Sequence, residues 1–439
     1  MNADLKQTAR EIFSKTLAAI DLNEALARKL QRRGYTLDAD AVSLDLRRFR
    51  EIVAIAFGKA AFGMAEALSG ILVPEYSTEG ILVVPAPPSH DLPGWHTFVG
   101  GHPMPNEQSF AAGRAILDRL VRCDERSLVI FLLSGGGSAL VEQPLVAGGT
   151  LEDFRELNRV LVGCGAPIEE INAVRKHFSA IKGGRLAEAA PRSTKLTFAV
   201  SDVPPGMESA LASGPTLPDP STLAGIAEII SCYQLLPRLP ESLRDAFRGG
   251  ALPETPKAGG PEFANAHFVK LLDSHDLTHA AHHACEAAGF QCICDRSTDG
   301  WPLEKAAHHL LGLLEQQRRA NPGKAVGVIA DGELSSPVTG KGIGGRNSAF
   351  VLTCVAKIAG GNVAVLSGGT DGIDGNSPAA GSVADGETLA RAKAAGLDLA
   401  DYARRSDSYN LFSALGDAVL IGPSGNNLRD LRVLLSAAS

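Results

Sequence analysis

The stretch SLVIFLLSGGGSALVEQP, residues 127–144, opens with an uninterrupted apolar run and breaks into three consecutive glycines. An apolar run without polar alternation predicts a strand buried on both faces, as in a parallel sheet covered by helices. Outward from it the pattern recurs with different loop chemistry. EIVAIAF runs into Gly58-Lys59, KLTFAV into Ser201-Asp202, AVGVIA into Asp331-Gly332-Glu333, and NVAVL into the loop SGGTDG at 367–372. Helical spacing follows several of these loops, AAFGMAEAL among them. Residues 4–32 also read as helix, up to a break at Arg33-Gly34-Tyr35. The fold class is therefore α/β, and in open parallel sheets ligands bind beyond the carboxyl ends of the strands.

A chain of 439 residues exceeds the ~250–300 at which single cores stop growing, so two domains are expected. The Pro- and Gly-rich stretch from Pro237 to Pro261 reads as the linker, giving domains of residues 1–250 and 262–439. A net charge of −7 excludes a broad nucleic-acid face, which needs clustered cations to displace counterions. No stretch approaches the ~20 apolar residues of a membrane span, and the first residues lack the apolar core of a secretory signal. A cytoplasmic protein with no nucleic-acid or membrane partner is expected, and the oligomeric state is left open. Seven scattered cysteines fit reduced thiols better than a disulfide framework. His282, His283, Cys285, Cys292 and Cys294 fall close together, without the paired spacing of a structural zinc site.

The loop Ser134-Gly135-Gly136-Gly137-Ser138 is the sharpest local signal. Its glycines let backbone N–H groups face an anion, and the helix that follows adds partial positive charge. It lacks the Lys and Ser/Thr spacing of a Walker loop and the pattern of a dinucleotide fingerprint. INAVRKHFSAIKGGRLA, residues 171–187, brings Arg175, Lys176, Lys182 and Arg185 into one basic stretch, interrupted at Gly183-Gly184. Arg175 and Lys182 would share a face if the helix continued through Lys182. Lys59 begins a helix, where a cation opposes the helix dipole and so hints at a ligand. Arg346 leaves the glycine loop GKGIGG, and its planar fork suits carboxylate or phosphate. Asp371 and Asp374 lie in an oxygen-rich loop, with Asp385 further on. Mg²⁺ needs only one or two carboxylates beside substrate phosphates.

In order along the chain, FGKAA, GGHPMPNEQS, LLSGGGSALVEQP, INAVRKHFSAIKGGRLA, SDVPPGMESALASGPTLPDPST, DGELSSPVTGKGIGGRNSAFVL, SGGTDGIDGNSPAAGSVAD and GPSGNNLRDL resemble the class II glycerate kinases, whose C-terminal part is the MOFRL domain. The resemblance implies a Rossmann-like, mainly parallel N-terminal domain, a smaller α/β MOFRL domain, and an active-site cleft between them. It also implies phosphorylation of D-glycerate to 2-phosphoglycerate with ATP and Mg²⁺ or another divalent cation. On this resemblance Lys59 and Arg346 are central; Asp202 joins them as a catalytic candidate because it or Asp371 would handle metal or the attacking hydroxyl. Ser134 to Ser138, Lys182 and Gly183 are nucleotide-binding candidates, Arg175, Glu333 and Asn347 bind substrate, and Asp371 with Asp374 hold metal. Some relatives carry the name hydroxypyruvate reductase, and an NAD(P)H-dependent reductase is the alternative. The chain departs from the family pattern at SDVPPGMES, where an acidic pair usually follows the glycine.

Overall fold

The computed structural model describes residues 4–72, 78–203, 206–422 and 424–438. The chain divides into two compact units, one of Leu22–Leu271 and one of Met1–Asp21 with Leu272–Ser439. In the first unit β1 (Leu30–Arg33), β2 (Thr36–Ala39) and β3 (Val42–Asp45) form a small antiparallel sheet. The helix expected over residues 4–32 is two helices, Leu5–Ala19 and Leu22–Lys29, and its last residues begin β1.

The main sheet of this unit contains β4 (Glu51–Phe57), β5 (Thr78–Val84), β6 (Trp95–Val99), β7 (Ser127–Ser134), β8 (Thr194–Val200) and β9 (Ala266–Leu272). Their order is β6-β5-β4-β7-β8-β9. β4 runs parallel to β5 and β7, β5 to β6, and β7 to β8. Strand order thus proceeds outward in both directions from β4, and the reversal leaves a crevice at the carboxyl ends of β4 and β7. Every residue of β7 is buried, as its apolar run requires. One core packs Val53, Ile55 and Phe57 with Val129, Phe131 and Leu133.

The second unit contains β10 (Gln291–Asp295), β11 (Val326–Asp331), β12 (Val363–Gly369), β13 (Gly381–Asp385), β14 (Ala418–Val419) and β15 (Asp430–Ser436), in the order β10-β11-β15-β12-β13-β14. β10 is parallel to β11, but β15 runs antiparallel to both β11 and β12, and β13 runs antiparallel to β12. This sheet is therefore mixed, where the apolar runs AVGVIA and NVAVL had suggested parallel neighbours. The helix Arg346–Ile358 lies between β11 and β12 in the chain and returns it in the same direction. The fully buried β15 then occupies the place between them.

Two features shift the boundary from residues 250–262. The Pro- and Gly-rich stretch belongs to the first unit: it contains the helix Glu241–Arg248, whose Leu243 is buried. Arg185 also donates to the Pro253 carbonyl at 3.2 Å, and Thr255 donates to Asp219 at 2.9 Å. Conversely, the helix Leu5–Ala19 packs on the helix Ser274–Ala287 and on β12, β13 and β15. The buried Phe13 ring lies over Gly368, so close that a β-carbon there would stand 2.8 Å from it. The expectation of reduced cysteines is corrected at one place, since Cys285 and Cys292 form a disulfide between that helix and β10. Among the described residues no helix is long and apolar enough to cross a membrane.

Candidate active site

The first cluster grows from the crevice between β4 and β7. Gly58 follows β4 with φ +126°, and a β-carbon there would stand 2.6 Å from the Ser134 carbonyl oxygen, so the two strand ends approach closely through backbone. Lys59 N–H donates to the Gly135 carbonyl at 2.9 Å, and Ala60 N–H donates to Ser134 Oγ at 2.9 Å. Gly136, at φ +82°, turns the loop beside the Lys59 stem and the His102 ring; its missing β-carbon would stand 3.3 Å from both. Lys59 is half-buried and His102 exposed. Across the sheet Ser134 is in register with Val200, so Asp202 follows two residues beyond Ser134's partner. Sequence reasoning thus places Lys59, Ser134, Gly135, Gly136 and Asp202 at three adjacent strand ends. Pro204 and Pro205, in the segment that departs from the family pattern, lie outside the described residues.

Ser138 and Ser213 share a hydrogen bond of 2.9 Å, and Gly183 N–H donates to the Ser213 carbonyl at 2.9 Å. Ala212 and Ser213 have φ +48° and +62°, a left-handed conformation costly for residues with a β-carbon. This turn and His102 escaped the residue-by-residue reading, although both lie in strings that carry the family resemblance.

The basic stretch 175–185 is arranged differently from a shared helix face. The helix Ile168–Phe178 stops before Lys182. Lys182, 1% exposed, ion-pairs with the buried Glu142. Ser179 Oγ donates to the other Glu142 oxygen at 2.5 Å. Burial holds the Lys182 ammonium below its ordinary range despite the Glu142 charge. Burial likewise lowers Arg175, which also faces Glu142, and Arg175 Nε is buried with no hydrogen-bond partner among the described residues. Arg175 and Lys182 therefore meet at a carboxylate rather than on a helix face. Lys176 pairs with buried Asp219 at 2.9 Å.

The second cluster lies in the other unit, at the ends of β11, β12 and β15. Arg346 opens the helix Arg346–Ile358, and its Nε and Nη2 reach the two oxygens of Asp430 at 2.5 and 3.3 Å. Its Nη2 also reaches Glu333 at 2.8 Å. Burial works against this guanidinium's charge, but Asp430 and Glu333 hold its pKa above the ordinary value. Arg429, at φ +90°, donates to Asp299 at 2.5 Å, and Arg432, fully buried, donates to the Asp331 and Gly332 carbonyls at 2.6 and 2.8 Å. Burial raises the Asp331 carboxyl although Arg296, Arg429 and Arg432 surround it. Asp299, Arg429, Asp430 and Arg432 were missed as site candidates, although Arg429 and Asp430 lie in the string GPSGNNLRDL.

The candidates Asn347, Asp371 and Asp374 separate. Asp374, 1% exposed, accepts the N–H groups of Asn347 and Ser348 at 2.9 and 2.8 Å and so caps the Arg346 helix. Asn347 is turned inward and accepts from Ser367 Oγ at 2.6 Å. Asp371 stays half-buried, its carboxylate near that of Asp430 beside Gly369. Among the described residues no group of three or more His, Cys, Asp or Glu side chains is arranged to hold a metal ion. A Mg²⁺ ion that keeps its waters and substrate phosphates needs only one or two carboxylates; half-buried Asp371, whose Oδ1 accepts the Ile373 N–H at 3.0 Å, suits that role better than Asp374, both of whose oxygens are taken by the helix.

Burial pushes the Asp374 carboxyl up to about 6, overriding its two backbone donors. A raised carboxyl means that the folded state holds the proton more tightly than the unfolded chain. Its contribution is thus most favourable below pH ~4 and is lost as pH rises through ~6. Asp374→Asn, which carries no charge, is expected to gain stability relative to the parent over that window, by up to ~3 kcal/mol. Denaturant melts of both proteins at pH 4.5 and 7 check this, and parallel pH profiles would refute it.

Residues 8–248 match the family described as "Domain of unknown function (DUF4147)", and residues 326–430 match the MOFRL family. The chain is 35% identical over 98% of its length to an Agrobacterium vitis protein provisionally named a hydroxypyruvate reductase, of which 94% is covered. It is 32% identical to the D-glycerate 2-kinase of Thermotoga maritima, over 97% of both chains. The crystal structure of a glycerate kinase from Thermotoga maritima superposes with a TM-score of 0.82 at 30% identity, covering 99% of each chain. With both family segments in order and relatives matched from end to end, the chain belongs to the class II glycerate kinase family.

Proposed function

We propose that the protein transfers the γ-phosphoryl group of ATP to the 2-hydroxyl of D-glycerate. The observation that carries this reading is the crevice between β4 and β7, where the Ser134–Ser138 loop and Lys59 meet at the point of strand reversal. Phosphoryl transfer demands positioning and charge stabilisation more than covalent chemistry. Backbone N–H groups of the glycine loop and the Lys59 ammonium hold phosphate oxygens. The glycerate hydroxyl attacks the γ-phosphorus as the bond to the bridging oxygen breaks and ADP leaves; Asp202 takes the hydroxyl proton. Arg346, aimed by Asp430 and Glu333, is a planar cation of the kind that recognises a phosphoryl group or a carboxylate, and Arg175 is a candidate cation for substrate. Asp371 would hold a divalent cation, which would supply further neutralisation of phosphate charge.

The reductase reading has less support. The one G-x-G-x-x-G string, Gly340–Gly345, follows β11 only after an intervening loop, and its helix leads to β12 across the antiparallel β15. A dinucleotide fingerprint needs adjacent parallel strands with the glycines directly at the strand end. ADP release with D-glycerate, followed by phosphorus NMR of the product, tests the proposal. Formation of 2-phosphoglycerate supports it; oxidation of reduced nicotinamide by hydroxypyruvate with no ADP release would overturn it.

A further inference from the structure

The helix Ser274–Ala287 buries Leu277, Thr278, Ala281 and Cys285 and exposes His275, His279 and His283 on its other side. Histidines four apart on a helix stand one above the other. Here the Nε2 atoms of His279 and His283 converge to 3.2 Å. An ion bound by two imidazoles at ~2.0–2.1 Å each separates their nitrogens by about 2.9–3.4 Å between right-angled and tetrahedral geometry. The pair already has that spacing. Glu286 Oε2 lies 3.8 Å from His283 Nδ1, beyond hydrogen-bond distance but close enough for its charge to favour a cation bound at Nε2.

We propose that His279 and His283 form a surface site for a borderline transition-metal ion such as Ni²⁺, Cu²⁺ or Zn²⁺, with water completing its coordination. Imidazole nitrogen selects these ions, whereas Mg²⁺ and Ca²⁺ demand oxygen ligands. With two protein ligands the ion is exchangeable. The site is independent of the phosphoryl-transfer reading, since none of its residues belongs to either cluster described above. Neighbouring soft groups offer one rival, Cys294 Sγ, 3.8 Å from His282 Nδ1.

The test is calorimetric titration of the metal-free full chain, without an affinity tag, with NiCl2, ZnCl2 and MgCl2. One site is expected for Ni²⁺ and Zn²⁺ and none for Mg²⁺. Loss of an outer partner of a metal ligand typically weakens binding ~10–100-fold, so His279→Ala and His283→Ala should each weaken Ni²⁺ binding at least about ten-fold. Cys294→Ser, and His308→Ala on another helix, should leave it unchanged. Both histidines are exposed and alanine favours helix, and circular dichroism confirms that the variants fold. Absence of Ni²⁺ binding, binding that survives His279→Ala unweakened, or binding lost instead in Cys294→Ser would overturn the proposal.

Discussion

Arg346→Ala protein is expected to turn over ATP and D-glycerate about 10²–10³-fold more slowly than the parent, the loss of ~2.7–4 kcal/mol that follows removal of one oriented charge from a reacting centre. The guanidinium is held at three contacts by Asp430 and Glu333, so it need not reorganise when charge develops on the phosphoryl group. That preorganisation is a property of the planar fork. Arg346→Lys keeps the charge but cannot span both Asp430 oxygens and Glu333, and should recover only a small part of the activity. Steady-state kinetics with both variants decide the matter. A loss confined to kcat points to the transition state, a loss confined to KM points to the glycerate carboxylate, and near-parental kcat/KM would remove Arg346 from the reaction.

The second large effect concerns stability. Lys182→Ala strands Glu142, which is 5% exposed, as a buried carboxylate without its ammonium. Breaking one side of a buried pair costs ~3–5 kcal/mol, whereas replacing both sides with apolar groups is often nearly neutral. Arg175 also faces Glu142, which places the expected loss toward the lower end of that range. The double variant Lys182→Met with Glu142→Leu should therefore recover most of it. Urea unfolding of the full chain reads both, with the transition of the Leu22–Leu271 unit followed separately, since a two-unit chain need not unfold in one step. If Lys182→Ala unfolds together with the parent, the ion pair has no such role.

Within the site, legibility followed burial. Lys59, the Ser134–Ser138 loop and Asp202 stand out as candidates because each lies just beyond an apolar run, and such a run in a parallel sheet ends at the ligand-binding edge. Arg346 stood out by its glycine loop and Glu333 was already a substrate-binding candidate, but the partner Asp430 was not legible, because eighty-four positions of chain separate it from Arg346. Asp374 illustrates the opposite error. Its Asp-Gly context reads as an open turn, yet the fold brings the Arg346 helix onto it and uses both of its oxygens as a cap.

The order of residues by itself determined the local elements: strands from continuous apolar runs, turns from glycines, helices from 3.6-residue spacing, and the family from ordered strings along the chain. Only the tertiary structure decided which elements became neighbours. It inserted β15 between β11 and β12, joined the helix Leu5–Ala19 to the second unit through Phe13 on Gly368, and turned Lys182 off its helix onto Glu142. The physical reason is range. Periodicity records which face of an element is buried, but the partner that buries it is selected by packing and pairing energies between residues far apart in the chain, which leave no periodic mark on either segment.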